Sequence, residues 1–159
     1  MGNIVVALLT YLELENEKEN VFVFINSPGG WVIPGLAIYD AIQIMRRNVY
    51  TICMGTAASM ASIILVGGTF NKRIAFPHAW RQLIHDLSIY PYRENASNIF
   101  ADVIEIDRWY NRMIQIYIEK TLLSVEVITD TTKELDYFLS PEEAQDRGMI
   151  DLIGIETLL

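Results

Sequence analysis

The sequence predicts one α/β domain, and three observations predict it. Apolar periodicity switches between strand and helix several times along the chain. Two short apolar runs each end in a glycine-bearing loop that leads into a helical pattern. No repeat, low-complexity tract or linker divides the 159 residues, a length that lets a single core bury roughly 68–70% of the unfolded surface. Residues 1–159 are therefore expected to form a single domain.

The first strand is Val21-Phe22-Val23-Phe24-Ile25, a continuous apolar run between Asn20 and Asn26, a pattern that suits a strand covered on both faces. It ends at Ser27-Pro28-Gly29-Gly30. A helix follows, with Pro34 early in it, Ile38, Ala41, Ile42 and Met45 at helical spacing, and Arg46-Arg47 near its C-terminal end, where a basic pair suits the dipole. The pattern then repeats as a strand from Val49 to Met54, a break at Gly55-Thr56 and a helix from about Ala58 to Val66. The longest helical pattern runs from Asn95 to Lys120, with Asn95 or Ser97 as cap. Its apolar residues, among them Ile104, Ile106, Trp109, Met113, Ile116 and Tyr117, surround most of the circumference, so a domain this small needs a partner to cover it. Ser140-Pro141-Glu142-Glu143 reads as an N-cap, an N1 proline and a capping-box glutamate, Gly148 suits the C′ position, and a strand from Met149 to Ile153 closes the chain.

Composition excludes several functions. A net charge of −8 and no basic cluster longer than the pairs Arg46-Arg47 and Lys72-Arg73 disfavour nucleic acid and anionic lipid. The only cysteine, Cys53, lies in an apolar run and reads as a core residue with no disulfide framework. Met1-Gly2 lacks the Ser or Thr at position 6 of a myristoylation start, and the run Ile4 to Leu9 lacks the flanks of a signal peptide. The uncharged stretch from Asn48 to Asn71 is interrupted at Gly55-Thr56 and Gly67-Gly68, so neither half approaches the roughly 20 apolar residues of a spanning helix. An apolar fraction of 52% points to further burial against other subunits.

Ser59, in Gly55-Thr56-Ala57-Ala58-Ser59-Met60-Ala61, falls where a strand turns into a helix among small residues. A serine there sits beside unpaired backbone N–H groups and the positive end of the dipole, which favour the oxyanion of acyl transfer. Alone, it reads more simply as a helix cap or a small core residue. Two histidines exist: His78 follows Pro77 in a turn, and His85 lies in the apolar run Leu83-Ile84-His85. So few imidazoles and one thiol argue against a metal site. His85 is the better general base, although alone it fits a core histidine. The neighbouring Asp86 would point to the opposite face of a strand, whereas Asp136 stands between predicted elements, free to orient an imidazole or simply to be solvated. The Ser27–Gly30 loop offers unshielded N–H groups, and without the lysine and Ser/Thr of a P-loop it calls for no nucleotide cofactor.

Taken in order, the S-P-G-G loop at Ser27–Gly30, the G-x-A-A-S-M of Gly55–Met60, the I-H of Ile84-His85 and the aspartate before F-x-S at Asp136–Ser140 resemble the proteolytic subunit of the Clp protease, a serine peptidase, from about Ile4 onward. Trp31-Val32-Ile33-Pro34-Gly35 is similar to plastid-encoded members. The resemblance implies a crotonase-like fold of repeated ββα units with a protruding handle helix, here the helix from Asn95. It implies seven-membered rings stacked in pairs, and hydrolysis of unfolded polypeptide delivered by an ATP-driven unfoldase in the chloroplast stroma. It assigns Ser59, His85 and Asp136 as the triad, the N–H groups of Gly30 and Met60 as the oxyanion hole, and Phe22, Phe24 and Ile44 as the unfoldase docking site, with no cofactor and no metal. The family's N-terminal segment is missing, so a shortened N-terminus is expected.

The chain departs from the family pattern at several places, among them Ile89 to Ala96, which is not recognisable. Asp86-Leu87 replaces Gln-Pro after the histidine, Ala61 stands where glycine is customary, and one residue more separates Pro77 from His85. An extra strand residue reverses later side chains unless a bulge absorbs it, so a bulge near Ala79 to Arg81 is expected. The rival functions are a non-catalytic subunit of a mixed ring, and an acyl-CoA enzyme of the same fold.

Overall fold

A computed structural model describes residues 2–15, 18–82, 96–133 and 138–154. The elements run α1 (Gly2–Glu15), β1 (Val21–Ser27), α2 (Val32–Gln43), β2 (Val49–Ala57), α3 (Met60–Val66), β3 (Arg73–Ala75), β4 (Trp80–Gln82), α4 (Ala96–Lys120), α5 (Val125–Lys133), β5 (Phe138–Leu139), α6 (Pro141–Asp146) and β6 (Leu152–Ile153). The predicted α/β class holds, while α1 and α5 lacked a sequence assignment. β2 is the spine of the sheet. Along one edge it pairs in parallel with β1, and the other edge takes β3 at Thr51–Cys53 and then β4 at Thr56–Ala57. β6 extends β3 in parallel, and β5 joins β4 as the antiparallel pair.

α3 lies at the centre of the core. Ile63, Leu65 and Val66 are fully buried, and Met113, Ile116 and Tyr117 of α4 pack into the same cluster with Ile128, Leu139 and Met149. A second cluster joins Leu9 of α1 to Ile38, Ala41 and Ile42 of α2 and to Val21 and Val49. Cys53 is wholly buried, in keeping with its reading as a core residue.

Several expectations are corrected. β1 alternates instead of being covered on both faces: Val21 and Ile25 are buried in the apolar clusters, whereas Phe22 and Phe24 on the other face are exposed, since among the described residues only one face of β1 packs against the core. The predicted break at Gly55-Thr56 is absent, since β2 runs on to Ala57. Gly55 serves close approach instead: a Cβ there would lie 2.6 Å from Asn26 Oδ1, the atom that accepts a bond from the Thr56 amide at 3.2 Å. Arg46-Arg47 lies beyond α2, which ends at Gln43. Arg47 caps α1 instead, donating to the Leu12 and Glu19 carbonyls and pairing with Glu13. The closing strand is only Leu152–Ile153, because the Met149 and Ile150 amides still bond to the Ala144 carbonyl.

The longest helix begins at Ala96 with Ser97 inside it, and its cap candidate Asn95 lies outside the described residues. Its own chain covers Met113, Ile114, Ile116 and Tyr117 but leaves Ile104 exposed. The capping box at α6 is as predicted: Ser140 Oγ accepts from the Glu143 amide at 3.2 Å, Glu143 Oε2 accepts from the Ser140 amide at 2.8 Å, and Gly148 has φ of 68°. Among the described residues no helix is long and apolar enough to cross a membrane.

Candidate active site

Ser59 follows Ala57, the last residue of β2, and Ala58, and stands at the N-cap of α3 with φ of 50° and ψ of −126°. A non-glycine residue there is strained by about 1–3 kcal/mol and persists only when its surroundings enforce it. The enforcement is local. The Ala58 amide donates to the Ser27 carbonyl at 3.1 Å, which ties the turn to the end of β1. Gly29, with φ of 101°, packs against the turn so tightly that a Cβ would lie 2.7 Å from both the Ala58 oxygen and the Ser59 Cβ.

The Ser59 hydroxyl makes no capping bond, so the simple reading as a helix cap fails. The residue is partly exposed while its neighbours Ala58 and Met60 are buried. The Met60 amide, first in α3, has no intrahelical acceptor by its position. Gly30 faces open space, with nothing within 4 Å of where a Cβ would stand. The residue pattern alone offers both loop glycines as donors and the family resemblance singles out Gly30; the supporting role of Gly29 depends on how the loop packs against a turn about thirty residues later.

His85 and Asp136 lie outside the described residues. The strands next to them in sequence are described: β4 pairs with the end of β2 that leads into the Ser59 turn, and β5 pairs with β4. Trp80 and Arg81 pair with Thr56 and Ala57 of β2, and Arg81 and Gln82 pair with Leu139 and Phe138 of β5. Both registers are continuous, so the expected bulge is absent from Trp80–Gln82. His78 occupies an exposed turn, as predicted, and borders a cavity of about 180 Å³ with Ser140 and Glu142. No group of three or more metal-ligating side chains occurs among the described residues.

The docking candidates are all exposed: Phe22 by 47%, Phe24 by 59% and Ile44 by 75%. Tyr50 was missed. It lies opposite Phe22 in the parallel register and stacks on it with ring centroids 4.7 Å apart, while Lys72 Nζ stands 4.9 Å above the Tyr50 ring. Only the β1–β2 register could have revealed that neighbour.

A mostly parallel α/β sheet that delivers a serine into a strained strand-to-helix turn, its hydroxyl unspent on the cap, has the form of a serine-hydrolase nucleophile elbow. Compared with known families, residues 1–157 match Clp protease. The chain belongs to the Clp protease family. It is 44% identical over 156 residues to the ATP-dependent Clp protease proteolytic subunit of Nuphar advena, covering 98% of this chain and 76% of the relative. The proteins of the same name from Coffea arabica and Nicotiana tabacum are each 42% identical, with 98% of this chain and 79% of the relative covered. These relatives support the reading as a proteolytic subunit, and none of them favours a non-catalytic ring member.

Proposed function

We propose that this chain is the proteolytic subunit of an ATP-dependent Clp protease and a serine endopeptidase in which Ser59 is the nucleophile, His85 the general base and Asp136 the group that orients the base. The observation that carries the reading is the Ser59 turn, a strained backbone whose hydroxyl is not used by the helix it caps. Ser59 Oγ attacks the scissile carbonyl while His85 takes its proton, and His85 returns that proton to the leaving amine. The N–H groups of Gly30 and Met60 meet the charge that develops on the carbonyl oxygen. Water then releases the acyl group by the same steps in reverse roles. The antiparallel pairing of Gln82 with Phe138 supports the assignment, since β4 leads toward His85 and β5 follows Asp136.

The rest of the reading follows the family. The fold is the crotonase-like stack of ββα units in one domain, α4 is the handle between two seven-membered rings, and substrate is unfolded polypeptide in the plastid stroma. Exposed Phe22, Phe24 and Ile44 form the surface on which a partner unfoldase docks. Labelling of the assembled protein with a fluorophosphonate, followed by mapping of the modified residue, tests the core of this reading. Ser59 is expected to carry the label, and Ser59→Ala to lower turnover of a short apolar fluorogenic peptide by several orders of magnitude. Undiminished turnover by assembled Ser59→Ala would remove the assignment.

A further inference from the structure

Ser62 lies one turn into α3, wholly buried, and makes two bonds to the backbone of the proposed nucleophile. Its amide donates to the Ser59 carbonyl at 2.9 Å and its hydroxyl donates to the same oxygen at 2.7 Å. A hydroxyl has one proton. With that proton on the Ser59 carbonyl, the Ser62 oxygen is left to accept, and the Tyr117 hydroxyl of α4 stands 2.5 Å from it. Tyr117 is also wholly buried, and burial pushes its phenol well above the usual tyrosine range, so it keeps its proton and donates. The chain of donors therefore runs Tyr117 to Ser62 to the Ser59 carbonyl.

That carbonyl belongs to the peptide plane that also carries the Met60 N–H. In a trans peptide the C=O and the following N–H point in opposite directions in one rigid plane, so whatever holds the Ser59 oxygen also aims the Met60 amide. Accepting two hydrogen bonds further polarises that amide as a donor. We propose that Tyr117 and Ser62 are positioning residues for the oxyanion hole, acting from α4 through the Ser59 carbonyl to orient the Met60 N–H. This rests on the reading of Ser59 as nucleophile and adds to it a link between the long helix and the catalytic turn.

Tyr117→Phe deletes one hydroxyl and keeps the ring, and Ser62→Ala deletes the link between the two ends. Each variant is compared with wild type as the assembled full chain, per assembled subunit counted by native mass spectrometry, for peptide kcat and KM and for the second-order rate of Ser59 phosphonylation. Tyr117→Phe is expected to lower kcat and the phosphonylation rate about tenfold with KM within about twofold, a fraction of the ~10²–10³-fold that loss of a whole oxyanion donor costs. The double variant is expected to be no slower than Ser62→Ala, because both changes cut one chain. Wild-type rates per assembled subunit in Tyr117→Phe, a rise in KM with kcat unchanged, or losses that multiply in the double variant would each overturn the proposal. If Tyr117→Phe does not assemble, Ser62→Ala alone decides, by the same split between kcat and KM. Absence of label on Ser59 in wild type would instead overturn the catalytic reading beneath it.

Discussion

Gly29 packs directly against the Ser59 turn. Its φ of 101° is a conformation that side chains rarely adopt, and the space where a Cβ would go is already filled by the Ala58 oxygen and the Ser59 Cβ. Gly29→Ala is expected to destabilise the protein by about 2–5 kcal/mol, the sum of backbone strain and overpacking, and to slow phosphonylation of Ser59 by displacing it. Gly30→Ala, with open space around it, is expected to change stability by less than about 0.5 kcal/mol. Denaturant midpoints for the two variants check the contrast, and equal midpoints would show that the loop does not pack against the turn as described. The S-P-G-G loop was legible as a motif, but which glycine supports the turn and which faces open space was not.

Among the elements, β3, β6 and the end of α4 are clasped by one buried ion pair. Arg73 gives Nε and Nη2 to the two carboxylate oxygens of Asp151 at 2.9 and 2.5 Å, and Nη1 to the Lys120 carbonyl at 2.6 Å. Both side chains are at most 9% exposed. Removing one partner of such a pair leaves a buried charge without compensation, so Arg73→Met is expected to cost about 3–5 kcal/mol, read as a shift of the thermal or denaturant transition. A loss below about 1 kcal/mol would mean that water reaches Asp151. Sequence reading treated Lys72-Arg73 only as a short basic pair, because its acidic partner lies 78 positions away. The capping box of α6 was legible, by contrast, since every atom of it lies within four consecutive residues.

At the scale of the whole molecule, the apolar surface is larger than one chain can cover. Ile4, Leu8, Tyr11 and Leu12 form an exposed stripe on α1, Phe22 and Phe24 are exposed on β1, and Ile104 is exposed on α4. Contiguous apolar faces of this kind mark contact surfaces. At micromolar concentration the isolated chain is expected to assemble rather than to persist as an 18.2 kDa monomer, and native mass spectrometry reads the outcome directly. A clean soluble monomer would remove assembly from the proposed function. Ile104→Glu is expected to weaken assembly, since it places a charge on a face that a partner must desolvate.

By itself the sequence determined the α/β class, the order of most elements and the α6 cap, because each is set by neighbours a few residues apart or by periodicity within one segment. The turn of the strand into α3 was visible at Gly55–Met60 for the same reason, whereas Ser59 was singled out as a nucleophile only through the resemblance of its motifs to the family. Only the tertiary structure decided that β2 runs through Gly55, that β1 has one uncovered face, that Arg47 caps α1 rather than α2, and that Tyr117 reaches Ser59 through Ser62. Each depends on strand register or on packing between residues roughly 30 to 60 positions apart, and local pattern carries no information about which distant side chain will fill a given space.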